Sequence, residues 1–214
     1  MVPKRDSDGS KRKRQKLRSS LKGLWKKMQR VPKKRIDRIL EHLRFAKAKS
    51  YIPEGARLLD IGAGNGAFLR TLNGHLRAGV GIDPLLTQPV ELGETCRLVP
   101  GYFPRDIIAC GSPFDVITLL AVVEHIPVPE LYEVAKACWN VLNPDGRVII
   151  TVPHPRVDRF LDILKALGLI HGLSLEEHYG FDPKQLPEIF NRWTLLKKER
   201  WELGCNYLFI FKKP

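Results

Sequence analysis

Apolar and polar positions change period several times along the 214 residues. Residues 1–16 are polar and cationic, too poor in apolar groups to offset the entropy of ordering. From Leu17 onward, Leu17, Leu21, Leu24, Trp25, Met28 and Val31 recur at helical spacing among Lys22, Lys26, Lys27 and Arg30. That pattern predicts a basic amphipathic helix ending before Pro32. A second stripe, Ile36, Ile39, Leu40, Leu43 and Ala46, predicts a helix lying against the sheet ahead of the first strand. Beyond it, short apolar runs alternate with helical patterns. Strands are expected near 57–61, 78–83, 95–99, 114–120 and 147–152, with helices near 66–76, 130–141, 156–168 and 183–191. Pro187 interrupts the last of these helices. The chain closes with two extended runs, Thr194–Glu202 and Asn206–Lys212, joined at Gly204 as a hairpin. Strands alternating with helices predict an α/β domain built on a parallel sheet.

Charge divides the chain where the period does. Residues 1–35 hold 15 of the 36 basic residues against two of the 23 acids, Asp6 and Asp8. Residues 36–214 therefore carry 21 of each sign and no net charge. The high pI describes a tail (residues 1–35), set before a neutral domain (residues 36–214). The tail's helix is read in two ways, as a helix docked on the domain or as a foot on an anionic membrane surface or RNA. Cys96, Cys110, Cys138 and Cys205 are widely spaced with no paired histidine, which gives neither a zinc site nor a disulfide framework. No metal is expected. Val116–Val123, the most apolar stretch, is far short of a membrane span. A charged N-terminus without an apolar block behind it is not a secretory signal, so the cytoplasm is expected, with contact at the inner membrane surface left open.

The stretch Leu58-Leu59-Asp60-Ile61-Gly62-Ala63-Gly64-Asn65-Gly66-Ala67 organises the rest. A buried strand turns into a helix there, with glycines where the backbone must bend and let a ligand come close. Gly62-x-Gly64-x-x-Ala67 also satisfies the dinucleotide fingerprint. Asp60 separates the two readings. A carboxylate there repels a pyrophosphate resting on the helix N-terminus and attracts a ligand with a cationic amino acid end and no phosphate, such as S-adenosylmethionine. Asp60 could equally order the glycine loop by accepting backbone N–H bonds.

These residues resemble the first motif of class I S-adenosylmethionine-dependent methyltransferases, in the small-molecule group with a methyltransferase type 11-like domain. Gly81-Ile82-Asp83, the run Phe114–Ile126 and Leu142-Asn143-Pro144-Asp145-Gly146-Arg147-Val148-Ile149-Ile150 match further motifs in the same order. The resemblance implies a Rossmann-like seven-stranded, mostly parallel sheet with an antiparallel last strand and helices on both faces. It implies S-adenosyl-L-methionine as cofactor, bound around Asp60, Gly62, Ala63, Gly64 and Gly66.

Asp83 closes the second strand 21 residues after Gly62, where a forked carboxylate can accept both ribose hydroxyls; its structural alternative is a turn formed with Pro84. Many members of that family carry an acid after the third strand, but Val99-Pro100-Gly101-Tyr102-Phe103-Pro104 has none. Tyr102 and Phe103 could flank the adenine instead, or fill the core, and Asp106 is a weaker substitute for the acid. Leu120 and Ala121 fall at the carboxyl end of the fourth strand, where a small residue leaves room for the sulfonium methyl. Glu124 and His125 follow, either as a cofactor-side contact and a candidate base or as a structural pair. His154 after the fifth strand and His178 in the insertion before the sixth are further base candidates, though each equally suits a packed or surface histidine. His42, His75 and His171 read as helix-surface or loop residues, and Asp145-Gly146 as a turn.

Val157–Leu175 is more apolar than one packed helix face needs and reads as core, a dimer face or a lid over an apolar substrate. Beside the basic foot, it motivates a lipid-linked or small-molecule acceptor, for instance an isoprenoid. The expected reaction is in-line displacement by a substrate oxygen, nitrogen or carbon, for which the protein supplies mainly proximity. A nicotinamide-dependent oxidoreductase and a non-catalytic Rossmann-fold module using its tail on RNA or membrane are the rival readings. The chain carries no repeat and no signature of oligomeric state.

Overall fold

The computed structural model describes residues 35–111, 113–153, 181–201 and 206–214. The expected tail helix, the expected helix at 156–168, the apolar segment 157–175, His154, His171, His178 and Gly204 all lie outside these residues. The described elements are α1 (Arg35–Lys49), β1 (Arg57–Ile61), α2 (Ala67–Thr71), β2 (Ala78–Asp83), β3 (Val90–Leu92), β4 (Cys96–Pro100), β5 (Phe114–Leu120), α3 (Val128–Val141), β6 (Leu142–Pro153), α4 (Leu186–Ile189), β7 (Thr194–Trp201) and β8 (Asn206–Lys212).

The eight strands form one sheet in the order β3-β4-β2-β1-β5-β6-β8-β7. Strands β4, β2, β1, β5 and β6 run parallel, and β8 enters antiparallel between β6 and β7. All seven expected strands form. The eighth, β3, is a three-residue addition antiparallel to β4 at the sheet edge, too short for a period-two signal. β1 and β5 are central and buried on both faces, which is why they read as unbroken apolar runs. Their pairing sets Asp60 beside Thr118.

Several element bounds differ from the expected ones for local reasons. β6 starts at Leu142 rather than Arg147, because Leu142 already pairs with Phe114 before the strand bulges. The expected turn lies inside that bulge, with Asp145 at φ 62° and its N–H donating to the Lys213 carbonyl. α2 stops after Thr71 and turns at Gly74, well short of residue 76. Pro187 sits in the first turn of α4, where its missing N–H costs nothing, so it starts that helix instead of breaking one.

The helix ahead of β1 forms, but it packs through a different face. Ile39 and Leu43 are 56% and 46% exposed, and Ala46 also faces solvent. α1 meets the sheet through Phe45, which packs on Phe68, and through Ala48. Two polar ties fix the choice of face: Lys47 bonds Glu199 at 2.7 Å, and Lys197 donates to the Tyr51 hydroxyl at 2.8 Å. These ties also give its direction. As β7 runs from Lys197 to Trp201, the chain runs back from Tyr51 past Lys47, so the N-terminal half of α1 points toward the carboxyl edge of the sheet. On the opposite face, α3 buries Leu131, Val134, Ala135 and Cys138, an i, i+3, i+4, i+7 stripe, against the other core layer.

Candidate functional site

Ligands of open α/β sheets bind outside the carboxyl ends of the strands, and at this edge the candidate residues converge. The turn after β1 passes through Gly62 at φ 76° and Gly64 at φ 55°. A Cβ on Gly62 would meet Val122 Cγ2 at 2.5 Å, so only glycine lets the β1 and β5 ends close together. A Cβ on Gly64 would meet nothing within 4 Å, so this turn presents bare backbone on an open side. Ala63 is buried with its Cβ over Gly81, which leaves only its backbone for a ligand. Gly66, also buried, caps α2, while the Asn65 side chain accepts from the Ala67 N–H.

The loop is ordered by β2, not by Asp60. Gly62 and Ala63 donate to the Ile82 carbonyl, and Gly64 donates to Asp83 Oδ2 at 2.8 Å. Asp83 Oδ1 accepts from Leu85 at 2.9 Å, closing the turn through Pro84. Each Asp83 oxygen thus uses one lone pair on backbone and keeps another, so the turn and the ribose reading are compatible.

Asp60 is 3% exposed, and the Thr118 hydroxyl donates to its Oδ1 at 2.7 Å. Burial pushes its carboxyl up to about 7; the Thr118 bond pulls the other way, and the neighbouring Asp83 charge adds to the rise. Burial likewise raises Asp83, against its two backbone N–H bonds. Two buried carboxyls side by side suit a cationic ligand better than a phosphate.

The segment after β5 supplies the rest. Ala121 adopts φ 57° and donates its N–H to the Thr151 carbonyl at 2.9 Å, and Leu120 is half-buried beside it. A short 3-10 turn, Val123–His125, then separates two neighbours: Glu124 is buried and His125 is exposed at the rim. Burial raises the Glu124 carboxyl to about 7, opposed by its own backbone N–H and by the charge of Arg44. Glu124 Oε2 and Arg44 Nε are both buried without a hydrogen-bond partner among the described residues. Arg44 comes from α1, and sequence reasoning missed it. The stripe placed α1 on the wrong face, and a cation inside a helix reads as solvated.

Tyr102 and Phe103 follow β4 at the same edge. Tyr102 is 39% exposed with Arg105 stacked on its ring at 5.0 Å, whereas Phe103 packs against the core. The Asp106 carboxylate accepts from the Tyr102 N–H at 2.8 Å and pairs with Arg105, so it closes its own loop. His75 bonds the Ile52 carbonyl through Nε2, away from this edge. No metal-ligand cluster forms among the described residues. A cavity of about 270 Å³ lined by Arg57, Gly79, Cys96 and Cys110 lies at the opposite, amino-terminal ends of the strands, far from the cradle.

The donor set fits S-adenosylmethionine: bare backbone at Gly64, paired buried acids, and an unpartnered acid and cation to meet an α-amino acid end. Comparison with known proteins agrees. The model of a methyltransferase domain family matches residues 24–199. A ubiquinone biosynthesis O-methyltransferase of Glaesserella parasuis is 22% identical over 188 residues, covering 74% of this chain and 79% of that protein. Three others with that name are 27–29% identical, and there the chain spans only 48–52% of their length. Among solved structures, a SAM-dependent methyltransferase from Anabaena variabilis superposes with TM-score 0.63 at 14% identity, covering 92% of this chain and 95% of that one. The N-methyltransferase NodS from Bradyrhizobium japonicum, in complex with S-adenosyl-L-homocysteine, gives TM-score 0.54 at 14% identity over 85% of this chain and 89% of that one. The chain belongs to the methyltransferase domain family and is a class I S-adenosylmethionine-dependent methyltransferase.

Proposed function

We propose that this enzyme methylates an oxygen of a small, largely apolar molecule, with quinone precursors as the first class to test. The observation that carries the site is the pair of unpartnered buried groups, Glu124 Oε2 and Arg44 Nε, with Glu124 two residues beyond the Val122 that packs on Gly62 of the open turn. Buried polar atoms left unsatisfied cost about 1–3 kcal/mol each, so a fold keeps them where a ligand completes them. Arg44 and Glu124 then take the carboxylate and ammonium of the cofactor's amino acid end. Gly62, Ala63, Gly64 and Gly66 line it with backbone, Asp60 supplies the negative field, Asp83 and Pro84 meet the ribose, and Tyr102 and Phe103 flank the adenine. Leu120 and Ala121 hold the methyl-bearing end in line with the acceptor.

When bound, S-adenosylmethionine supplies a methyl group already activated on a sulfonium sulfur. The protein is left to align and desolvate the acceptor. An oxygen that must lose its proton needs a base, and exposed His125 at the rim is the first candidate, with His154 and His178 held on chain order alone. The oxygen and quinone assignment rests on what the relatives are named for. A lipid-linked acceptor gives residues 1–35 a role at an anionic membrane. Flotation of the full chain with anionic and neutral vesicles tests that role, and equal recovery from both removes it.

The test is incubation of the full chain with methyl-labelled cofactor and a panel of hydroxylated quinone precursors, alongside RNA and protein fractions. Label in the organic-extractable fraction is expected. Label confined to RNA or protein would overturn the acceptor class.

A further inference from the structure

Two more buried polar atoms lie on the same edge without partners among the described residues, Thr151 Oγ1 and Trp201 Nε1. Strand alternation places them on one face of the sheet, the face under α1. Ile149, Leu208 and Ile210 belong to the core layer shared with Ala48 and Phe68, and Leu120 and Trp201 pack against that layer. Thr151 is two residues beyond Ile149 and pairs with Leu208 on β8; Trp201, on β7 at the far side of β8, pairs with Asn206, two residues further toward the carboxyl edge. Thr151 also pairs with Leu120, and its carbonyl holds Ala121. Its hydroxyl therefore lies one strand over from the proposed methyl-bearing end, on the β6–β8 side, opposite Gly64 and Asp83.

We propose that Thr151 and Trp201 recognise the hydroxyl group of the methyl acceptor, a proposal that rests on the acceptor reading above. The indole N–H donates only, whereas the threonine hydroxyl both donates and accepts. For one neutral hydroxyl to satisfy both, accepting from Trp201 and donating to Thr151, the indole reaches back across β8 over Leu208. A protonated amine has no lone pair for the indole and leaves it unsatisfied. The pair thus selects alcohols and phenols over ammonium groups, and the apolar Leu120 and Leu208 beside it favour a carbon-rich body. A site built to bond a hydroxyl discriminates strongly against analogues lacking it, because its own polar groups are then stranded.

The experiment follows the indole N–H signals of the 15N-labelled full chain, whose four tryptophans are Trp25, Trp139, Trp193 and Trp201. Trp201→Phe identifies the Trp201 signal. Phenol is titrated in the presence of saturating S-adenosyl-L-homocysteine, with toluene as the matched probe without a hydroxyl. Phenol is expected to move the Trp201 signal downfield, toluene to move it at least several-fold less, and Thr151→Val to reduce the phenol response several-fold. A Trp201 signal that ignores phenol, responds equally to toluene, or responds unchanged in Thr151→Val overturns the proposal. Thermal melts add a second readout: Thr151→Val should leave the ligand-free midpoint unchanged or raised, and a fall shows that the hydroxyl already has a partner in the fold. The readout needs no methyl transfer. A phenol response without turnover defeats the methyl-acceptor reading alone, and turnover without a response defeats this one alone.

Discussion

Gly62 and Gly64 are both left-handed glycines of one turn, yet their surroundings assign them different work. At Gly62, a methyl group collides with Val122. Gly62→Ala is expected to lower stability by about 1–3 kcal/mol, read from urea midpoints, through overpacking and backbone strain together. At Gly64 the space is open, so Gly64→Ala costs only the left-handed backbone, about 1 kcal/mol. It should nonetheless weaken S-adenosyl-L-homocysteine binding at least tenfold, since the added methyl occupies the ligand's side. Equal affinity in wild type and Gly64→Ala would remove that turn from the site.

Asp60 and Glu124 give the site a pH signature. Both carboxyls are raised by burial to about 7 in the ligand-free protein, above their unfolded values. The folded state then holds more protons than the unfolded one between about pH 4 and 7, so stability falls as pH rises through that window. The α-ammonium of the ligand's amino acid end favours the ionised acids. Affinity for S-adenosyl-L-homocysteine should therefore rise as pH increases toward 7, by up to about tenfold per unit for each acid that ionises, and level off above it. Asp60→Asn should flatten that profile and raise the ligand-free melting temperature more at pH 8 than at pH 5. An unchanged profile would mean that Asp60 does not face the ligand.

At the scale of elements, the sequence was most legible where one physical requirement governs a run. β1, β2 and β5 are buried on both faces, and their bounds follow from apolar content alone. The glycine turn and Asp83 were equally plain, because bending and ligand approach restrict residue choice at fixed spacing. α1 was not legible in the same way. Its stripe predicted the wrong packing face, since the orientation is set by Phe45 on Phe68, by Lys47 on Glu199 and by Lys197 on Tyr51 just past the helix, all distant in sequence. Arg44 and Thr151 were missed for the same reason: one reads as a helix-surface cation, the other as a strand position. The salt bridge from Lys47 is partly exposed, so Glu199→Ala should cost under about 1 kcal/mol. Arg44→Ala should barely alter melting yet weaken cofactor binding, a contrast measured by calorimetry and thermal melts on one preparation. Loss of stability without loss of affinity would make Arg44 a packing residue.

For the whole molecule, sheet order decides how the work is divided. β2, β1 and β5 adjoin, so their carboxyl ends bring Asp83, the glycine turn and Ala121 together from three separate stretches. β6, β8 and β7 extend the same edge beyond Ala121, and α1 crosses above with its N-terminal half pointing toward that edge. On the proposed reading, cofactor and acceptor receive adjoining halves of one edge. The sequence order of motifs conveyed the first half; the second depends on β8 entering between β6 and β7, which pairs residue 151 with 208 and residue 201 with 206. No helix among the described residues is long and apolar enough to cross a membrane.

The most direct test of the account is isothermal calorimetry of the full chain with S-adenosyl-L-homocysteine and, separately, with NADH. Saturable heat with the first, weakened in Gly64→Ala, and none with the second is the predicted result. Saturable binding of NADH with no heat from S-adenosyl-L-homocysteine would contradict it.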